Sequence, residues 1–212
     1  MSDPLQIPNV WRAQSLAPET SVTPTGFAAL DEALGGGWPP SAMIEILTDV
    51  YGIGELQIVL PLLRSSVTPA THAAPVIAWI NPPYEPNAVA LAQQELLDRP
   101  HWLITPSSTQ DALWSMEQAL KAGACAAVLA WISSIPTASL RRLKLAAVTG
   151  QTYAVLYRSS TAASEPSPAH VRLMLMPHRS QLGVRVLKAR SRPPTDLTLD
   201  IDPLRLHAGD KP

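Results

Sequence analysis

Short apolar runs alternate with helix-period segments along the chain from residue 42 to residue 157. The run Val76–Ile80 is apolar at every position, a pattern typical of a parallel strand that is buried on both faces. Four further segments predict strands: 42–47, 101–105, 126–132 and 153–157. Strands that alternate with helical patterns of about 10–15 residues favour βαβ units. The sequence therefore predicts an α/β fold with a mainly parallel, doubly wound sheet.

Helical periodicity occupies the segments between these strands. A helix predicted over 55–66 contains Pro61, which kinks it or delays its start. Ser108 and Asp111 resemble a capping box at the start of another helix. Further helices are predicted at 25–34, 87–98 and 137–149, the first ended by Gly35, Gly36 and Gly37 and the last strongly basic. These helices supply the crossovers that a parallel sheet requires.

The C-terminal third of the chain has a different pattern. Its Ser- and Pro-containing loop at 159–168 predicts a mobile segment. Two alternating runs at 170–176 and 182–188 then predict an antiparallel β-hairpin that extends the sheet. The chain divides into an extended arm at 1–22, a folded domain at 23–189 and a flexible, basic and polar tail at 190–212.

Composition restricts the classes of function that need consideration. Apolar residues make up 46% of the 212 residues, and the longest apolar runs are too short to span a bilayer. The first residues lack the basic and apolar regions of a secretory signal, so we expect a cytoplasmic protein that does not bind membranes. Cys125 lies in an apolar run, which predicts an inert buried thiol. The five histidines have no metal-ligand spacing with it, so we predict no metal site.

Charge is distributed unevenly along the chain. Residues 1–140 contain four basic and twelve acidic residues, a balance of −8, whereas residues 141–212 contain twelve basic and five acidic residues, a balance of +7. The basic part has a tight cluster of Arg185, Lys188, Arg190 and Arg192. Such a cluster fits nucleic acid or an acidic protein surface, and it equally fits an ordinary solvated face. Both interpretations stay open at this point.

The loop after the first predicted strand resembles a phosphate-binding loop that has lost its chemistry. A P-loop reads G-x-x-x-x-G-K-[ST], in which the backbone cradles phosphate, the Lys reaches the terminal phosphates and the hydroxyl holds Mg²⁺. Here the loop contains Gly52 and Gly54, but Glu55 replaces the cation and Leu56 replaces the hydroxyl. A carboxylate at this position repels a triphosphate, so we predict no nucleotide cofactor.

Two other positions that an ATPase needs are also changed. The acidic Mg²⁺ ligand would end the strand at 126–132, where the sequence reads Ala130-Trp131-Ile132-Ser133. The water-activating acid would follow Ile80, where the sequence has Asn81-Pro82-Pro83. Three separate losses predict that the chain is not an enzyme, and the sequence contains no other catalytic constellation.

These residues resemble a known family. The segment 22–46, VTPTGFAALDEALGGGWPPSAMIEI, is similar to the segment that leads into the P-loop of RecA recombinases. NVWR at 9–12, YGIGEL at 51–56, WINPP at 79–83, DALW at 111–114, GAC at 123–125, VLAW at 128–131 and VLKAR at 186–190 resemble the ImuA family of bacterial SOS-induced mutagenesis proteins. The resemblance covers about residues 9–193. It implies a RecA-like domain without a functional P-loop.

The resemblance also implies a role and partners. ImuA proteins are non-catalytic accessory factors of error-prone translesion synthesis, working with a Y-family polymerase homologue (ImuB) and a C-family polymerase, and some are thought to engage RecA. From its place in the arm, Trp11 is expected to dock on the domain or on a partner, and from their charge Lys188, Arg190 and Arg192 are expected to contact DNA weakly or an acidic protein surface. A homo-oligomer stays open. The alternative is a cell-division inhibitor of the SulA type, which binds FtsZ, because residues 50–83 resemble SulA too.

The chain has six tryptophans and a single Phe, and we expect most of the tryptophans to lie in the core. The predicted core or core-edge positions are Trp38, Trp79, Trp114 and Trp131, while Trp11 and Trp102 are less constrained.

Overall fold

A computed structural model describes residues 22–65, 75–179, 181–190 and 192–201. The strands are β1 (Met43–Leu47), β2 (Val76–Ile80), β3 (His101–Ile104), β4 (Cys125–Trp131), β5 (Tyr153–Arg158), β6 (Val171–His178), β7 (Gln181–Lys188) and β8 (Thr195–Leu199). The α-helices are α1 (Ala28–Leu34), α2 (Leu60–Ser65), α3 (Ala88–Gln93), α4 (Thr109–Lys121) and α5 (Thr137–Thr149), and a 3₁₀ helix covers Ser160–Ser164.

The strands form one sheet in the order β3-β2-β4-β5-β1-β6-β7-β8. Strands β1 to β6 run parallel to one another, while β7 pairs antiparallel with both β6 and β8. Strands β1, β2 and β5 are buried along their whole length, because helices cover both faces of the sheet. The predicted α/β fold, with a mainly parallel sheet and a C-terminal antiparallel hairpin, is confirmed.

Each face of the sheet has its own hydrophobic core. Successive residues of a strand point to opposite faces. Ile44 and Ile46 therefore belong to the core beneath α1, α2 and α3, while Met43 belongs to the core beneath α4 and α5. The parallel strands end together at the edge of the sheet where their carboxyl termini lie, and the loops at that edge form the candidate site.

Helix ends follow the local signals in the sequence. Helix α4 begins after Ser108, whose hydroxyl accepts a hydrogen bond from the Asp111 N–H at 3.1 Å. Helix α1 ends at Gly35, which adopts the left-handed conformation at φ 82°. Pro61 lies in the first turn of α2, where its missing N–H costs nothing. The predicted late start of this helix is thus observed.

Part of the segment 190–212, which we predicted to be a flexible tail, forms a strand in the structure. Residues 195–199 form β8, an edge strand that pairs with β7 over five residues. Leu199 and Ile201 are 2% and 8% exposed, so the strand has an apolar side that packs on the domain. Residues 202–212, like residues 1–21 of the arm predicted at 1–22, lie outside the described residues.

Two smaller expectations are also corrected. The segment 159–168, predicted to be mobile, contains a 3₁₀ helix whose carbonyl groups are bonded to Arg172. Trp114 is 64% exposed on α4 instead of lying in the core, while Trp38 and Trp79 are buried as predicted. Among the described residues, no helix combines the length and apolar character needed to cross a bilayer.

Candidate functional site

The glycine loop, residues 49–55, follows β1 at the carboxyl edge of the sheet. Gly52 and Gly54 have φ values of 80° and 98°, in the left-handed region that L residues rarely adopt. A Cβ atom on Gly54 would lie 2.6 Å from the Ile201 side chain, so the chain after β8 packs directly on the loop. Successive backbone N–H groups in such turns form a concave nest that holds anions.

The nest holds the carboxylate of Glu55 itself. The Gly52 N–H donates to Oε1 and Oε2 at 3.1 and 3.0 Å, and the Ile53 N–H donates to Oε2 at 3.0 Å. Glu55 is only 6% exposed. The loop therefore keeps donors of the kind that bind phosphate, and an internal anion satisfies them.

A nucleoside triphosphate with Mg²⁺ does not fit these residues. The predicted degenerate P-loop positions Gly52, Gly54 and Glu55 lie together in the glycine loop, but Glu55 adds negative charge to the nest that phosphate would need. At the end of β4 the residue is Trp131, which cannot bind a metal ion. Among the described residues, no group of three or more His, Cys, Asp or Glu side chains could hold a metal.

An aromatic side chain, Trp131, occupies the position at the end of β4 where an ATPase has its Mg²⁺-binding acid. Trp131 stacks on Tyr157 with ring centroids 4.5 Å apart and on Trp79 at 6.2 Å. Trp79 in turn stacks on His101 at 6.1 Å and donates its Nε1–H to His101 Nδ1. The four rings form a ladder across β3, β2, β4 and β5. The Tyr157 hydroxyl donates to the Glu55 carbonyl at 3.3 Å, and this bond ties the ladder to the glycine loop.

Asp49 connects the glycine loop to the segment after β5. Its carboxylate accepts hydrogen bonds from the Ser159 hydroxyl at 2.8 Å, from the Ser160 N–H at 3.0 Å and from the Ser160 hydroxyl. These bonds hold the pKa of Asp49 below its ordinary value, with the Ser160 hydroxyl first. Asp49 is thus ionised at neutral pH, and its partners are neutral.

A buried ion network lies beneath this segment. Glu45, fully buried in β1, accepts from Arg158 Nη1 at 3.1 Å and from Arg172 Nε at 2.7 Å. Arg158 also pairs with Glu165 at 2.8 Å. The guanidinium of Arg172 donates further to the carbonyls of Ala162, Ala163 and Glu165. Sequence reasoning missed this network, because Glu45 is more than a hundred residues from both Arg158 and Arg172 along the chain.

A cavity of about 390 Å³ opens between these groups. Its walls come from the ends of β1, β2, β4 and β5 and from the loops that follow them. Asp49, Tyr51, Asn81, Ser133 and Trp131 are among the lining residues. Burial raises the pKa of Tyr51, and the negative charges of Glu55 and Asp49 raise it further. The cavity occupies the crevice where open α/β sheets bind ligands.

The other predicted contact residues lie away from the cavity. Lys188 ends β7 and donates to the Ser167 carbonyl at 3.1 Å, while Arg190 and Arg192 are exposed in the turn before β8. Arg185, part of the same sequence cluster, makes two hydrogen bonds to Asp196. The structure therefore brings Lys188, Arg190 and Arg192 to one end of the hairpin. Trp11 lies outside the described residues.

The thiol of Cys125 has no role in this site. It is fully buried in β4, and burial raises its pKa to about 11. Only the thiolate is nucleophilic, so this cysteine is inert at neutral pH.

Comparison with known proteins identifies the type of fold. No family model matches the chain, and no curated protein matches it. Among solved structures it is similar to the RadB recombinase, with 19% sequence identity, a TM-score of 0.63, and coverage of 85% of this chain and 96% of the RadB chain. At this identity the likeness shows the fold alone. The chain has a RecA-like fold.

Proposed function

We propose that this chain is a RecA-like protein that acts through protein contacts and has no ATPase activity. The observation that carries the proposal is the carboxylate of Glu55 in the anion nest of the glycine loop, 3.0–3.1 Å from the donors that phosphate would need. Trp131 and Asn81 support it, since the Trp131 side chain cannot hold Mg²⁺ and the Asn81 amide cannot activate water as a carboxylate does.

The specific role that we propose is that of an ImuA-like accessory protein in cytoplasmic SOS mutagenesis. It assembles or regulates an error-prone translesion complex with an ImuB-like Y-family polymerase homologue, a C-family polymerase and RecA. Support comes from the RecA-like fold and from the sequence motifs between residues 9 and 193. In this role Trp11 anchors a partner, and DNA contact through Lys188, Arg190 and Arg192 is weak.

Nucleotide binding tests the first part of the proposal. A fluorescent ATP analogue with Mg²⁺ is titrated into the full chain, with a working P-loop ATPase as the positive control. We expect no saturable binding and no phosphate release. Glu55→Lys should not restore turnover, because the metal ligand at the end of β4 is still absent. Saturable binding by the parent chain with release of phosphate contradicts the proposal.

Affinity capture tests the second part. Tagged protein is recovered from DNA-damaged and undamaged cells of its source, and its companions are identified by mass spectrometry. Damage-dependent recovery of the two polymerases or RecA supports the accessory role, and Trp11→Ala should weaken it. Recovery of FtsZ without them contradicts the accessory role and supports the SulA-type division inhibitor.

A further inference from the structure

The cavity at the carboxyl edge of the sheet has a polar wall on each side. On one side is the ionised carboxylate of Asp49. On the other are the side-chain amide of Asn81 after β2 and the side-chain hydroxyl of Ser133 after β4, and neither side chain hydrogen-bonds to another described residue. Tyr51, Trp131 and Tyr157 supply the aromatic part of the lining. Arg158 also belongs to the lining, and its guanidinium is paired with Glu45 and Glu165. A volume of about 390 Å³ falls in the range of small-molecule pockets.

The charge that ion pairing leaves over near this cavity is negative. Two glutamates, Glu45 and Glu165, offset the two arginines Arg158 and Arg172 in the buried network. Asp49 and Glu55 remain, and every described group bonded to either carboxylate is a neutral N–H or O–H. Two negative charges are thus left without a positive partner among the described residues. Burial, followed by these same two charges, raises the pKa of Tyr51, which lies between them in the loop.

We propose that this cavity binds a guanidinium cation, supplied by the arginine side chain of a partner protein or by a free guanidino compound. A guanidinium has five donors and no acceptor, and it is weakly hydrated. Asp49 offers a carboxylate, Asn81 a carbonyl oxygen and Ser133 a hydroxyl oxygen. The aromatic and apolar lining accommodates the methylene stem, which long cationic side chains bury beneath a polar head.

A guanidinium is positively charged, whereas the polyphosphate that the same crevice holds in an ATPase is negatively charged. The inference goes beyond the proposed accessory role, because the isolated chain is enough to test it. Its partner form, in which the arginine belongs to another protein, rests on the proposed function.

The test uses two probes that differ in charge and scarcely in shape. N-acetyl-arginine amide and the neutral N-acetyl-citrulline amide are titrated into the full chain, and backbone amide shifts are followed by NMR. We expect the arginine probe to shift the amides of Asp49, Ser159 and Ser160 saturably, and the citrulline probe to leave them unchanged. Equal shifts with both probes, or no saturable shift with the arginine probe at millimolar concentration, overturn the proposal.

Variants locate the binding site. Asp49→Asn keeps an acceptor for Ser159 and Ser160 but removes the charge, and it should weaken binding by about tenfold or more. Asp98→Asn removes an exposed carboxylate outside the cavity and should bind as the parent does. Ser133→Leu fills the cavity from the opposite wall and should also weaken binding, so the test survives if Asp49→Asn disturbs the loop. Parental affinity in both cavity variants overturns the proposal.

A third probe distinguishes the two sources of the cation, a partner protein and a free guanidino compound. A short peptide that carries one internal arginine is compared with free arginine. Tighter binding of the peptide supports a partner protein, and tighter binding of free arginine supports a metabolite. Failure of affinity capture would leave these measurements intact, so the two proposals fail independently.

Discussion

The carboxylate of Glu55 satisfies backbone donors inside its own loop, and removing it should leave them without a partner. The Gly52 and Ile53 N–H groups bond to it at 3.0–3.1 Å, and Glu55 itself is only 6% exposed. We expect Glu55→Ala to lower the free energy of unfolding by about 1.5–3 kcal/mol, the contribution of hydrogen bonds to a charged group. Urea denaturation measures it. Because the freed nest binds anions, added phosphate should recover part of the loss.

The matched control for this prediction is Glu55→Gln. Glutamine keeps a carbonyl oxygen that the N–H groups can reach, so we expect a smaller loss and a weaker response to phosphate. If Glu55→Ala unfolds at the parental urea concentration and ignores phosphate, the carboxylate does not hold the loop as described.

His170 makes the stability of the fold depend on pH. Its Nδ1 accepts the Met43 N–H at 3.0 Å, and burial, followed by the charges of Lys144 and Lys188, lowers its pKa below 6.5. Between the folded pKa and 6.5 the unfolded chain therefore binds more protons. The contribution of His170 to the free energy of unfolding is present above pH 6.5 and falls as the pH drops toward the folded pKa.

The variant His170→Asn measures this effect, because asparagine can accept the Met43 N–H and does not titrate. We expect the parent to lose more stability than the variant between about pH 7 and pH 5, in urea denaturation at each pH. A difference between the two proteins that does not change over this range would show that the imidazole is not responsible.

Single residues also mark the limits of sequence reasoning. The replacement of a P-loop lysine by Glu55 is visible in the sequence, but its bond to the loop N–H groups depends on the left-handed turn at Gly52. Trp114 occupies an outward position of α4, while Ala112 and Met116 face the core. Its size and apolar character suggested burial, and only the packed sheet determines which positions of the helix are covered.

Elements with strong local signals were predicted closely. Strand β2 and helix α5 match their predicted ranges residue for residue, since an apolar run and a helical period each define them. Strand β8 has the sequence TDLTL, in which alternate positions are polar because one face meets solvent. Two prolines precede it and it is short, so its pattern resembles that of a tail.

Truncation distinguishes a strand from a flexible tail at 195–201. Deletion of residues 195–212 uncovers the edge of β7 and removes Leu199 and Ile201, whose burial contributes about 1.5–3 kcal/mol each. We expect the truncated chain to unfold at a clearly lower urea concentration. A chain that ends at Ile201 keeps every described contact of β8 and serves as the control. Equal stability of the two truncated chains would mean that β8 adds nothing to the fold.

The segment 159–168 is held in place by side chains from other elements of the fold. Its composition predicted mobility, but the Arg172 guanidinium binds three of its carbonyl groups and Asp49 binds its first two serines. Those anchors come from β6 and from the loop after β1, which are adjacent in space only because β6 pairs with β1. Asp49 is 110 residues from Ser159 along the chain, so no window of sequence around residues 159–168 contains both anchors.

At the scale of the whole molecule, strand order decides which loops meet. The order β3-β2-β4-β5-β1-β6-β7-β8 brings the ends of β1, β2, β4 and β5 around one cavity. Alternation of strands and helices predicts a parallel sheet, and the resemblance of residues 22–46 to RecA predicted its type. Neither specifies that Asp49 would face Asn81 and Ser133. The fold was therefore predictable from the sequence, whereas the shape and charge of the cavity required the structure.

The division of charge between the two parts of the chain leads to a last prediction. Lys188, Arg190 and Arg192 are exposed near one end of the hairpin, where single-stranded DNA can approach them. Contact with phosphates releases counterions, so the logarithm of affinity falls with the logarithm of salt concentration in proportion to the contacts made. If the three side chains each contact one phosphate, their replacement by alanine should reduce that slope by about two.

Arg185→Ala is the matched control, since its guanidinium is already engaged by Asp196. Fluorescence anisotropy with a labelled oligonucleotide over a salt series measures the slope. A triple variant with the parental slope would assign these basic residues to a protein surface instead of DNA.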